Sequence, residues 1–178
     1  MKYLLEQCAS ECPGGHWWAL IDAAGLPDGR DGIDRSKFTE VECLFTGDLE
    51  VELVDVAPYL ARIGQVDDST APLLQHLLEE ECAVMALDRG QELSFAEVHR
   101  HFRKFNVVYA PDGKPLFFRY YDPRVLSGVL GILERGQLER FFGPFHAFVE
   151  CNHASANSLT LTQGGLEKRE ISSVAGRR

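Results

Sequence analysis

Positive charge is scarce in this chain. Lys and Arg number 18 against 27 Asp and Glu, for a formal net charge of -9. A nucleic-acid binder needs a basic field to neutralise phosphates, so the balance argues against one. It argues equally against docking on an anionic membrane surface, and it permits a basic protein partner. Long apolar runs are also missing: none approaches the roughly 18–20 residues that span a bilayer. The N-terminal MKYLLEQCASECPGG carries Glu6 and Glu11 where a secretory signal is apolar. No glycine-rich phosphate loop follows a strand, and neither Gly-x-Ser-x-Gly nor His-Glu-x-x-His occurs. Cysteine is present at 5 copies with irregular spacing. An odd count without an export signal reads as reduced thiols, and the expected location is cytoplasmic.

What is present suits one soluble domain. Hydrophobic residues make up 45% of 178 positions, enough for a sizeable core. HWWALIDAAG (16–25) reads as a buried strand entering a turn, and PDGRDGIDRS (27–36) as a surface loop. In ELVDVAPYLARI (52–63), Leu53, Val54 and Val56 favour a strand that Pro58 interrupts. Residues 69–81 are helical, with Leu73, Leu74, Leu77 and Leu78 on one face. CAVMALD (82–88) is a buried strand. Ser94 and Glu97 form a capping box for a helix over 95–104.

NVVYA (106–110), the turn PDGK (111–114) and PLFFRYY (115–121) form a hairpin. Asp122 then caps a helix with Pro123 at its first position. A second short helix spans 136–142, and FHAFVEC (145–151) is a further strand. The expected fold is α/β (α+β), a single domain with a mixed β-sheet flanked by helices. Residues 1–153 form that domain, and 154–178 are expected to be a polar, flexible tail.

Few residues present themselves for chemistry. Cys8, Cys12 and His16 are spaced by four, but Pro13, Gly14 and Gly15 break any helix between them, so no metal site is assigned. His99 and His101 read as the solvated face of an amphipathic helix, or His99 as packing beside Phe102. A cysteine or histidine hydrolase is the alternative function, although no nucleophile motif frames any thiol. No catalytic residue, no metal and no cofactor is assigned.

FFRYYDPRVL (117–126) is the most unusual stretch. On a strand, Phe117, Arg119 and Tyr121 share one side, which sets a guanidinium between two aromatic rings. Arg124 falls in the first turn of the following helix, where the helix dipole disfavours a cation, so an acidic neighbour is expected. Arg119, Tyr121, Asp122, Pro123 and Arg124 are therefore either an internal lock on the corner or a partner-binding surface.

DGKPLFFRYYDPRVL (112–126), with FFGPF (141–145), WALIDAA (18–24), CLFTG (43–47) and APYLARI (57–63), resembles the signature of the type VI secretion effector adaptors, or effector chaperones. The similarity spans about residues 16–150. It implies a cytoplasmic, non-catalytic protein that binds a toxic effector and helps load it on the VgrG spike. Its partners would be that effector and VgrG, with no nucleic acid and no membrane.

Overall fold

Trp17, Ala19 and Ile21 pack on one face of the first strand, Trp18 and Leu20 on the other, and all are buried. A strand covered on both faces reads as a continuous apolar run, which is why WWALI lacks polar alternation. The computed structural model describes residues 8, 10–45, 51–63, 71–110, 112–151 and 155–173. Its main sheet has seven strands: β1 (Trp17–Asp22), β2 (Glu40–Cys43), β3 (Pro58–Arg62), β4 (Ala83–Asp88), β7 (Phe145–Cys151), β8 (Ser155–Thr162) and β9 (Gly165–Ser173). They lie in the order β2-β3-β1-β4-β7-β8-β9. A separate two-stranded hairpin joins β5 (Val107–Tyr109) to β6 (Pro115–Phe117).

Five described α-helices accompany the sheet: α1 (Val51–Asp55), α2 (Ala71–Glu79), α3 (Phe95–Arg103), α4 (Pro123–Leu130) and α5 (Arg135–Phe142). Leu74, Leu77 and Leu78 of α2 pack with Ile21, Met85 and Val149 on one face. Helices α3, α4 and α5 cover the other face, joined to Trp18, Leu20, Val84 and Phe148 through an aromatic core. Phe102 and Phe141 anchor that core, with ring centroids 4.9 Å from Phe145 and 5.1 Å from Phe148 respectively. The layers are thus helix, sheet, helices, a single α+β domain.

Every described pairing in the sheet is antiparallel, where the sequence reading left strand directions mixed. The connection from β4 to β7 carries three helices and a hairpin, yet it re-enters the sheet at the end it left. The strand β7 therefore runs opposite to β4.

Two stretches differ from their sequence reading. Residues 51–55 are helical, and Pro58 opens β3 rather than interrupting a strand. A proline at the first strand position gives up no ladder bond. The second difference is larger. The expected flexible tail from 154 instead supplies β8 and β9, paired from Ser155 opposite Ser173 to Thr162 opposite Gly165 with one register shift between Ala156 and Asn157. Its polar composition concealed a period of two: Ala156 and Leu159 are buried on opposite faces of the sheet. The hairpin turns through Gly164-Gly165, where Gly165 adopts φ +118, a conformation open to glycine. Residue 154 and residues 174–178 lie outside the described residues.

Candidate functional site

Local sequence builds the corner first. Pro123 cannot donate a backbone hydrogen bond, and at the first position of α4 none is required. Asp122, immediately before it, accepts from the Arg124 backbone N–H at 3.0 Å. The same carboxylate takes Nε of Arg124 at 2.8 Å and Nη2 at 3.0 Å, a bidentate pair. This pairing meets the expectation of an acidic neighbour for Arg124, offsetting the unfavourable dipole of the first turn.

Arg119 completes the corner. Its Nη2 lies 3.2 Å from Asp122 Oδ2 and donates at 2.7 Å to Asp22 Oδ2, at the end of β1. Both carboxylates are almost wholly buried, at 2–3% side-chain exposure, whereas both guanidinium groups reach solvent. Burial pushes the Asp122 carboxyl upward. The hydrogen bonds and charge of Arg124, with the charge of Arg119, outweigh it and hold the group below the usual carboxylate range. Tyr121 is buried beside them, its ring edge-on to Tyr120 at 5.4 Å. Burial first, then the charge of Asp22, pushes its phenol up.

The structure therefore brings Arg119, Tyr121, Asp122, Pro123 and Arg124 together, but not as a strand would. β6 ends at Phe117, and the chain turns through Tyr120 and Tyr121. Arg119 is not sandwiched between Phe117 and Tyr121; two carboxylates hold it instead. Alternation fails because the Arg119 carbonyl accepts the Asp122 N–H at 3.1 Å, closing a turn in which successive side chains no longer alternate.

Two residues of the corner escaped the sequence reading. Asp22 ends an apolar strand, and a lone carboxylate there was the available signal. Asn106 is the other. Its Nδ2 donates to the Leu44 carbonyl at 2.7 Å, its Oδ1 accepts from the Tyr120 hydroxyl at 2.9 Å, and its own carbonyl accepts from Phe118 N–H at 3.1 Å. One amide thus ties the base of the β5–β6 hairpin to the main sheet and to the corner.

Beyond that anchor and a ring contact of Phe117 with Phe45 at 6.2 Å, the hairpin is largely exposed. Tyr109 is 74% exposed and Phe117 76%, and Val107, Val108 and Leu116 are exposed as well. Contiguous exposed apolar side chains are unusual for a soluble domain and mark contact surfaces. A groove of about 670 Å³ runs between one side of the hairpin (Val108, Leu116) and the outer faces of α4 and α5 (Val125, Val129, Arg140), with Arg119 at its edge. The opposite side of the hairpin borders a second depression, of about 600 Å³, with Arg100, Arg103 and Lys104 on its rim.

The histidines of α3 are not a solvated face. His101 bonds the Phe141 carbonyl at 2.8 Å and packs against Phe102, Phe105 and Phe145. Burial pushes its pKa down. His99 bonds the Cys43 carbonyl at 2.7 Å and stacks on Phe95. The Phe-Phe-Gly-Pro-Phe run is explained by the same contact. Gly143 has φ +46, and a Cβ there would fall 2.5 Å from His101 Cε1.

None of the five cysteines is in a disulfide. Burial pushes every thiol up, that of Cys82 to about 12. Near the N-terminus, His16 Nδ1 lies 3.5 Å from buried Asp88, whose carboxylate also accepts the Trp18 indole N–H at 3.0 Å.

A family model described as Domain of unknown function (DUF4123) matches residues 17–140. That span opens with β1 and ends inside α5, so it includes the corner, the hairpin and the walls of the groove. Comparison with curated proteins and with solved structures returns no match.

Proposed function

The chain belongs to the DUF4123 family, and from that premise we propose that it is a non-catalytic adaptor of type VI secretion, which binds an effector in the cytoplasm and helps load it on the VgrG spike. The observation that carries the reading is the exposed apolar hairpin, anchored at its base by Asn106 and bordered by a groove. A side chain such as Phe117 has no folding reason to be exposed, and covering it by a partner is favourable by about 25 cal/mol per Å² of apolar surface. The Arg119–Asp22–Asp122–Arg124 corner fixes the start of α4, which is one wall of that groove.

The thiols and His101 weigh against the alternative of a cysteine or histidine hydrolase. A nucleophilic thiol needs a depressed pKa, and burial moves all five in the other direction. His101 is committed to a backbone carbonyl and a packed aromatic setting. Slow alkylation of the native protein by iodoacetamide, at the rate of an ordinary or hindered thiol, is the expected result; one fast-reacting cysteine would reopen the hydrolase reading.

The direct test is co-expression of the tagged chain with the products of its neighbouring genes, followed by gel filtration. Co-elution with a toxin or with the C-terminus of a spike protein is the expected outcome. Well-folded protein that co-elutes with neither overturns the adaptor reading.

A further inference from the structure

We infer that the groove between the β5–β6 hairpin and helices α4 and α5 is the cargo seat, and that its occupant is an amphipathic helix with acidic side chains flanking its apolar face. The inference deepens the adaptor reading and rests on it for the identity of the cargo. Its chemistry comes from the groove.

The lining is apolar where it is deepest: Phe105, Phe118 and Phe141 form part of it, with Val125 and Val129 on one wall and Leu116 on the other. Positive charge sits at its edge, with Arg140 on the α5 side and Arg119 at the corner. Arg140 makes no ion pair among the described residues, and Arg119, though held by Asp22 and Asp122, is half exposed. An apolar trough with solvent-reaching guanidinium groups at its edge is complementary to an apolar stripe with carboxylates beside it.

The shape selects a helix. A strand added to the hairpin would have an edge only three residues long to pair with, too short for the main-chain ladder that gives β-augmentation its affinity. A helix inserts side chains from successive turns and needs no edge. A second copy of this chain is disfavoured by charge, because a two-fold contact through the groove would bring the Arg119 and Arg140 edge towards its own copy.

The test uses the full chain and two labelled 15-residue peptides read by fluorescence anisotropy. Each is helical, with leucine at positions 1, 4, 5, 8, 11 and 12; one has glutamate at its flanking positions and the other lysine. The glutamate peptide is expected to bind about tenfold or more tightly than the lysine peptide, and to weaken as salt is raised. Leu116→Asp is expected to abolish binding, and Arg140→Glu to narrow the difference between the peptides. Both positions are exposed, so thermal melts of the two variants should match that of the parent. Equal binding of the two peptides, no binding of either, binding unchanged by Leu116→Asp, or self-association through the groove in gel filtration each overturns the inference.

Failure of the adaptor reading is separately visible. A chain that seats the glutamate peptide but co-elutes with no neighbouring gene product keeps the groove and loses the adaptor role. A chain whose Leu116→Asp variant still co-elutes fully with an effector keeps the adaptor role and loses the groove.

Discussion

Arg119 and Asp22 are 97 positions apart in the chain and 2.7 Å apart in the fold. The guanidinium that ends the hairpin segment is thus tied to the carboxylate that ends β1, and through Asp122 to the cap of α4. Three elements meet on one cation, and both of its carboxylate partners, Asp22 and Asp122, are shielded from water.

Replacing that cation should cost more than replacing its neighbour. Arg119→Ala leaves Asp22 and Asp122 buried with one fewer partner, and a loss of about 2 kcal/mol is expected, below the 3–5 of a fully buried pair because Arg119 is half exposed. Arg124→Ala spares the Arg119 bridge, and a loss of about 1 kcal/mol or less is expected. Urea unfolding of both variants measures the difference. The opposite order would mean that Asp122 relies on Arg124 alone.

Two glycine positions should respond with opposite signs. Gly143→Ala forces a side chain into the left-handed region and against His101, and a loss of about 1–3 kcal/mol is expected. Gly128, inside α4, has nothing within 4 Å of a built Cβ. Gly128→Ala should therefore gain about 0.5–1 kcal/mol from helix propensity. Thermal melts of the pair check both, and a stable Gly143→Ala protein would remove the assigned role of that contact.

Stability should fall as the solution is acidified through the histidine range. Burial lowers the pKa of folded His101 below the ordinary 6.5, and burial with the charge of Arg89 lowers that of His146. The unfolded chain then binds more protons below about 6.5, so stability is full above that pH and is lost on descending from it to the folded value. The neutral ring also suits its contact with the Phe141 carbonyl, which a single ring N–H satisfies. Denaturant unfolding between pH 7.5 and 5.5 should show this slope, and His101→Gln should reduce it. An unchanged slope would assign the effect to His146 or to carboxylates.

Truncation after residue 153 should abolish cooperative folding. It removes β8 and β9, strips Leu159 from the aromatic core and Ala156 from the other, and opens the whole edge of β7. Aggregation, or loss of the near-ultraviolet dichroism of packed aromatics, is the expected readout. A soluble truncated chain with a sharp melt would show that the sheet ends functionally at β7.

Much of the fold was legible because it is locally encoded. Ser94 and Glu97 reciprocally cap α3, Asp122 and Pro123 open α4, and a continuous apolar run marks β1 and β4, as their residue types require. Helix starts and buried strands depend on neighbours within a few positions, so one segment carries the whole signal. The last hairpin was hidden, because Ser, Asn and Thr in β8 have the composition of a loop and only pairing with β7 and β9 makes them strands. For the same reason His101 looked solvated: its setting is made by Phe141 and Phe145, some forty residues away in sequence.

The sequence by itself determined the class of fold, the cap of α4 and the presence of an arginine–aspartate corner, since each follows from short-range chemistry. Only the tertiary structure decided what that corner does. It chose Asp22 as the second acidic partner, hung the hairpin from Asn106, and left Phe117 in solvent beside a groove. Those are outcomes of which distant surfaces meet, and long-range packing sets them once desolvation and hydrogen-bond satisfaction are met together across the whole chain.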